Sequence, residues 1–278
     1  MSAFDLHGLR VGDYDIHFVD EGKGPPLLLI HGLAGDHTAW APQIEAWRGA
    51  WRVIAPDTRG AGKSTQVDEP VTIEALAADF VQLLDLLKID RCHVIGRSMG
   101  GAIGQCIALQ APERVASLVT IGSFAKLDPR GRRALEMMRE VLEWTGSWGA
   151  HGRHSIGNFV SAEFFNKQPD KVAAIEALIA GTQRLQACYI HQNHACIRYD
   201  NLSRLREIRT PTLVMSGGQD PICGPLATQW LVNGLPNVES VEFADGAHFF
   251  FMEEPERFMK LMHDWLARHT PGADSARR

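Results

Sequence analysis

Gly96-Arg97-Ser98-Met99-Gly100 sets one serine between two glycines, after the apolar run Cys92–Ile95 and before "GAIGQCIALQ". A serine hydroxyl becomes a nucleophile when a base takes its proton, and that base needs a third group to orient it. G-x-S-x-G between a strand and a helix is the pattern of a nucleophile elbow. The turn strains the serine backbone and leaves no room for side chains two residues away, so glycine is required there. It also places the hydroxyl at a helix N-terminus, where N–H groups and the dipole favour negative charge.

In this arrangement an acid and then a histidine follow the serine along the chain. "TLVMSGGQDPICGP" puts Asp220 in a loop after one apolar run, and "VEFADGAHFFF" puts His248 in a loop after another. Both loops leave the carboxyl ends of expected parallel strands, the edge where open α/β sheets hold their sites. Asp245 is a rival acid, but its loop is too short to reach the imidazole from the correct side. No acid directly follows "VASLVTIG". Two backbone N–H groups complete an oxyanion hole: Met99, just after the serine, and Leu33 in "HGLAGDHTAW", where Gly32 permits close approach. Losing one such donor costs about 3 kcal/mol of transition-state stabilisation.

These residues need a scaffold, and the hydropathy pattern supplies one. "LRVGDYDIHFVD" alternates around Gly12–Asp13 and predicts an antiparallel hairpin. "PPLLLI", "WRVIAPD", "CHVIG", "VASLVTIG" and "TLVMSGG" are continuous apolar runs that fit strands buried on both faces. Between Thr72 and Leu87 an apolar stripe of Ile73, Leu76, Phe80, Leu83 and Leu87 predicts a helix. The alternation implies a mostly parallel sheet of an α/β protein, covered on both sides. It pauses from 125 to 206, where helices are expected to start at Pro169 and Thr182. The expected division is a core of 1–124 and 207–270, a helical lid of 125–206 and a disordered tail of 271–278.

The chain has 278 residues, 45% hydrophobic and 22% charged, with a net charge of -5. That suits one large domain and supplies no basic face, so nucleic acid is not an expected partner. No run approaches the ~20 apolar residues that cross a bilayer, and no export signal opens the chain. Cys92, Cys106, Cys188, Cys196 and Cys223 form no CxxC pair and suit buried positions in a reducing compartment. The expectation is a cytoplasmic protein with a small-molecule substrate, no membrane partner, and a homo-oligomer left open.

His31-Gly32, "DTRGAGKS", "GRSMGG", "GGQDPI" and "GAHF" together resemble the α/β-hydrolase superfamily over nearly the whole chain. Within it the sequence resembles small lidded hydrolases: 3-oxoadipate enol-lactonases, aminoacrylate-hydrolase-like proteins and haloperoxidase-type esterases. The resemblance implies an eight-stranded, mostly parallel sheet with an inserted helical lid. It gives Ser98, Asp220 and His248 the nucleophile, acid and base roles, with no cofactor and no metal. Serine at the elbow departs from haloalkane dehalogenases and epoxide hydrolases, which use aspartate there. Arg97 departs from the asparagine common in carbon–carbon hydrolases.

Other residues have two readings each. Arg97 binds a substrate carboxylate or pairs sideways with a sheet-edge carboxylate. Asp57 and Arg59 read as an ion pair that locks a loop. His191 and His194 in "HQNH" have a metal-ligand spacing but read better as pocket lining or solvated helix. Trp144, Trp148, Phe159, Phe164 and Phe165 form either a ceiling over the site or a core within the lid. The expected activity is hydrolysis of a carboxylic ester or lactone through an acyl-enzyme. Carbon–carbon hydrolysis of a diketone-like or dienol acid, acyl transfer, and ligand binding without catalysis are the alternatives.

Overall fold

A computed structural model describes residues 4–270. The expected tail, 271–278, lies outside the described residues. The strands are β1 (Leu6–Val11), β2 (Tyr14–Glu21), β3 (Pro26–Ile30), β4 (Arg52–Pro56), β5 (Cys92–Arg97), β6 (Val115–Ile121), β7 (Thr212–Gly217) and β8 (Val238–Phe243). They form one eight-stranded sheet in the order β1-β2-β4-β3-β5-β6-β7-β8. β1 pairs antiparallel with β2, and β2 with β4; every later pairing is parallel.

The helices are α1 (Ala41–Trp47), α2 (Ile73–Leu86), α3 (Met99–Gln110), α4 (Pro129–Thr145), α5 (Trp148–Phe159), α6 (Ala162–Lys167), α7 (Pro169–Ala180), α8 (Gln186–Arg198), α9 (Pro225–Gly234), α10 (Phe250–Glu253) and α11 (Pro255–His269). Thr72 caps α2 by accepting from the Ala75 N–H, a contact worth about 1 kcal/mol. Pro169 opens α7 as its residue type predicts. The expected start at Thr182 is corrected: α8 begins at Gln186, and 182–185 run as irregular chain. Among the described residues no helix is long and apolar enough to cross a membrane.

The apolar runs sort by alternation into two cores. Leu28, Ile30, Ile54, Val94 and Leu118 pack with α2 and α3 on one face. Leu27, Leu29, Val53, Ile95 and Val119 pack with α1 and α11 on the other. Each fully buried Leu or Ile contributes about 1.5–3 kcal/mol. The helical segment from 129 to 180 holds a small core across α5 to α7, built on Ile156, Val160, Phe164, Val172 and Ile175. That segment docks onto the loop after β7 at Gly131, where an added Cβ would sit 2.0 Å from the Ile222 carbonyl oxygen.

β5, β6 and α11 are joined by a polar chain inside the apolar layer. Trp265 Nε1 donates to Ser117 Oγ, whose hydroxyl meets His93 Nδ1 at 2.8 Å. His93 Nε2 meets Thr270 Oγ1 at 2.9 Å, and the Thr270 hydroxyl donates to the Leu266 carbonyl. A neutral imidazole satisfies every group in this chain, and burial lowers the His93 pKa to about 4.

Candidate active site

β5 runs buried to its last residue, and the chain turns at once into α3. Ser98 is the turning residue, at φ 50° and ψ −116°. A non-glycine residue at positive φ carries strain of order 1–3 kcal/mol. The flanking glycines have no slack. A Cβ on Gly96 would sit 2.2 Å from the Gly100 carbonyl oxygen, and one on Gly100 would sit 2.2 Å from that of Ile30. Ser98 N–H donates to Ile121 O, and Ser123 Oγ donates to Ser98 O, so β6 braces the elbow.

Asp220 and His248 come from the loops after β7 and β8. His248 Nδ1 donates to Asp220 Oδ2 at 2.7 Å. Asp220 is 0% exposed. Its Oδ1 accepts the N–H groups of Ile222 and Cys223 at 2.7 and 2.9 Å, so one carboxylate shapes its own loop and orients the imidazole. Asp245 takes no part in this pairing. The thiol of Cys223 lies beside this pair, within 4.8 Å of the ligand atoms of Asp220 and His248. Burial, then the Asp220 charge, raise the Cys223 pKa well above the usual thiol range. No hydrogen bond joins Ser98 to His248 among the described residues.

The loop after β3 faces the elbow. A Cβ on Gly32 would lie 3.3 Å from Ser98 Cβ. The Gly32 carbonyl accepts from His31 Nδ1 at 2.8 Å and from Gly35 N–H at 3.1 Å. His31 Nε2 accepts the Thr58 N–H, and burial keeps the imidazole pKa below its ordinary value. Because a trans peptide points its carbonyl and N–H in opposite directions, these bonds fix the direction of the Leu33 N–H. Met99, wholly buried, begins α3.

Three expectations for side chains are corrected. Arg97 faces away from the site, buried between Trp40 and Phe251, its Cζ 3.7 and 4.1 Å from their ring centroids. It donates to Ala39 O and Gln43 Oε1, not to a carboxylate. Burial lowers its pKa to about 9, which leaves it protonated at neutral pH. Trp144 is 71% exposed, turned to solvent at the end of α4. His191 Nε2 meets Asp68 Oδ1 at 3.0 Å, tying α8 to the loop after β4, while His194 meets Arg139.

Asp57 and Arg59 do not pair with each other. Burial opposes the Asp57 charge, but His37, His31 and the Lys63 N–H outweigh it and bring its pKa down. Asp57 Oδ1 accepts from His37 Nδ1 at 2.9 Å. Arg59 pairs instead with Asp79 at 2.8 Å.

Of the five aromatic candidates, Phe159 is the one that reaches the pair. Its ring centroid is 6.2 Å from that of His248, and it stacks on Phe249 at 4.6 Å. Trp148 packs on His151 and Tyr189, and Phe164 belongs to the core within the helical segment. Glu253 was not expected. Its Oε1 accepts from Ser161 N–H and from Ala247 N–H, so it ties that segment to the loop of His248. The only sequence signal is an acid five residues after the histidine.

Residues 25–255 match the model of the α/β-hydrolase fold family. A relative from Azorhizobium caulinodans, provisionally named carbamate hydrolase RutD, is 30% identical over 254 residues, 90% of this chain and 94% of its own. An enol-lactonase from Burkholderia xenovorans LB400 superposes with TM-score 0.83 at 27% identity, covering 94% of this chain and 100% of its own. A thermophilic esterase from Thermogutta terrifontis does so with TM-score 0.84 at 26% identity, covering 95% and 99%. Sheet order, elbow and matched span agree: the chain belongs to the α/β-hydrolase fold family and is a hydrolase.

Proposed function

We propose that this hydrolase cleaves a carboxylic ester or lactone of a small molecule, with Ser98 as nucleophile, His248 as base and Asp220 as the orienting acid. The observation that carries the reading is the 2.7 Å Asp220–His248 bond beside the strained Ser98 elbow. In this reaction His248 takes the Ser98 proton as Oγ attacks the carbonyl carbon. The Leu33 and Met99 N–H groups hold the oxyanion. His248 then gives the proton to the leaving oxygen, and a water activated by the same imidazole releases the acid. The helices of 125–206 act as a lid on a core of 1–124 and 207–270, and Phe159 brings its ring to 6.2 Å from that of His248. The five free, buried cysteines suit a reducing compartment such as the cytoplasm.

Carbamate hydrolysis is the second reading, favoured by the name of the 30%-identical relative. It uses the same nucleophile, base and oxyanion donors. A fluorophosphonate probe should label Ser98 in the wild type and leave Ser98→Ala unlabelled. Turnover of p-nitrophenyl acetate, an enol-lactone, an alkyl carbamate and a vinylogous diketone acid then assigns the substrate class. Preference for the carbamate or the diketone acid would replace the ester and lactone reading. A folded wild type whose Ser98 stays unlabelled and inert to all four would point to a binding protein.

A further inference from the structure

Cys223 sits where a hydrolase of this kind has no chemical use for a thiol. It is fully buried, donates its N–H to Asp220 Oδ1 in the same loop, and lies beside the Asp220–His248 pair. The Cys223 sulfur, an Asp220 oxygen and a His248 nitrogen all lie within 4.8 Å of one another. Tetrahedral zinc, with bonds of about 2.0–2.3 Å, holds its ligand atoms about 3.4–3.8 Å apart. The most widely spaced of these atoms therefore need to close by about 1–1.4 Å to surround one ion. A thiolate, an imidazole and a carboxylate form a donor set that selects zinc or a softer divalent ion over magnesium or calcium.

We propose that Cys223, His248 and Asp220 form a latent site for a thiophilic divalent cation, and that its occupancy shuts the hydrolase off. This rests on the proposed roles of Ser98 and His248. On binding, the Cys223 thiol releases its proton to solvent and forms the metal–sulfur bond. The ion also takes an imidazole lone pair, either that of Nε2 as it stands or that of Nδ1 once its proton has moved to Nε2. In both cases His248 can no longer accept the Ser98 proton. The Ser98 hydroxyl or a water fills the fourth position. No oxidant or reductant is involved, so chelation restores the free enzyme.

The test titrates the purified chain with Zn²⁺ and with Cd²⁺, reading ester turnover and the ultraviolet cadmium–thiolate band separately. The expected result is inhibition reversed by EDTA, together with a thiolate band of one-to-one stoichiometry. Cys223→Val should lose the band and need more than about tenfold more Zn²⁺ for the same fractional inhibition, each protein referred to its own metal-free rate. Ser98→Ala should keep the band although it turns nothing over. That arm separates failure of the catalytic reading, which leaves the band intact, from failure of the metal site. A band that persists in Cys223→Val, equal inhibition of both proteins, or no band in the wild type would each overturn the proposal.

Discussion

Asp220 spends one oxygen on each of two tasks: Oδ2 holds His248 Nδ1 at 2.7 Å, and Oδ1 holds the N–H groups of its own loop. Asp220→Asn can keep the second task while losing the first. Its amide N–H would face Nδ1 and force the proton onto Nε2, the nitrogen that must accept from Ser98. The expected outcome is an unchanged melting profile with kcat reduced by about 10⁴. Steady-state kinetics beside a urea melt check both halves. An active, well-folded Asn variant would remove His248 as the base.

Arg97→Lys should cost stability and leave substrate choice alone. Lysine cannot lie as a plane between Trp40 and Phe251 while donating to Ala39 O and Gln43 Oε1. The expected loss is about 1–3 kcal/mol in a urea melt. The ratio of kcat/KM for an anionic and a neutral ester of equal size should stay within about twofold. A large selective loss for the anionic ester would return Arg97 to the substrate.

Gly96→Ala should prevent the elbow from closing, because its methyl would overlap the Gly100 carbonyl. Relief means unwinding the start of α3 or parting β5 from its neighbours. A loss of at least about 3 kcal/mol, or failure to fold, is expected. A thermal melt close to the wild type would show that the turn has room after all.

Acid should weaken the fold through His93. Burial brings its folded pKa down to about 4 from the ordinary 6.5, so the unfolded chain binds the proton more readily. The stability that comes from burying it neutral is fully present above about pH 6.5 and is lost as pH falls toward 4. The cost is on the order of 3 kcal/mol. Urea melts from pH 7.5 to 4 should show this slope, and His93→Phe should flatten it. An unchanged slope in that variant would assign acid sensitivity to other groups.

The elements that were legible in the sequence are those written in local pattern. The hairpin at Gly12–Asp13, the two-sided apolar strands and the glycine-flanked serine each follow from residues within one element. The loops that carry Asp220 and His248 are legible too, because strand ends impose the order of their loops, and His248 Nδ1 meets Asp220 Oδ2 at 2.7 Å. Side-chain partners across the fold were not legible. Asp57 and Arg59 are neighbours in sequence, yet strand ends send one to His37 and the other to Asp79. The start of α8 is not legible because Thr182 offers a capping residue type while 182–185 stay irregular. The place of Cys223 beside Asp220 and His248 is not legible either, because buried cysteines are common and the turn made by Asp220 Oδ1 is what brings its thiol there.

β5 lies at the middle of the sheet between β3 and β6, whereas β8 closes one end with β7 as its single neighbour. The proposed nucleophile thus hangs from the best-guarded strand and the proposed base from a border one. Sheet margins open at lower free energy than sheet centres. On gentle warming the enzyme should fall silent while its spectrum still reads as folded, and cooling should revive it as the border strand zips back.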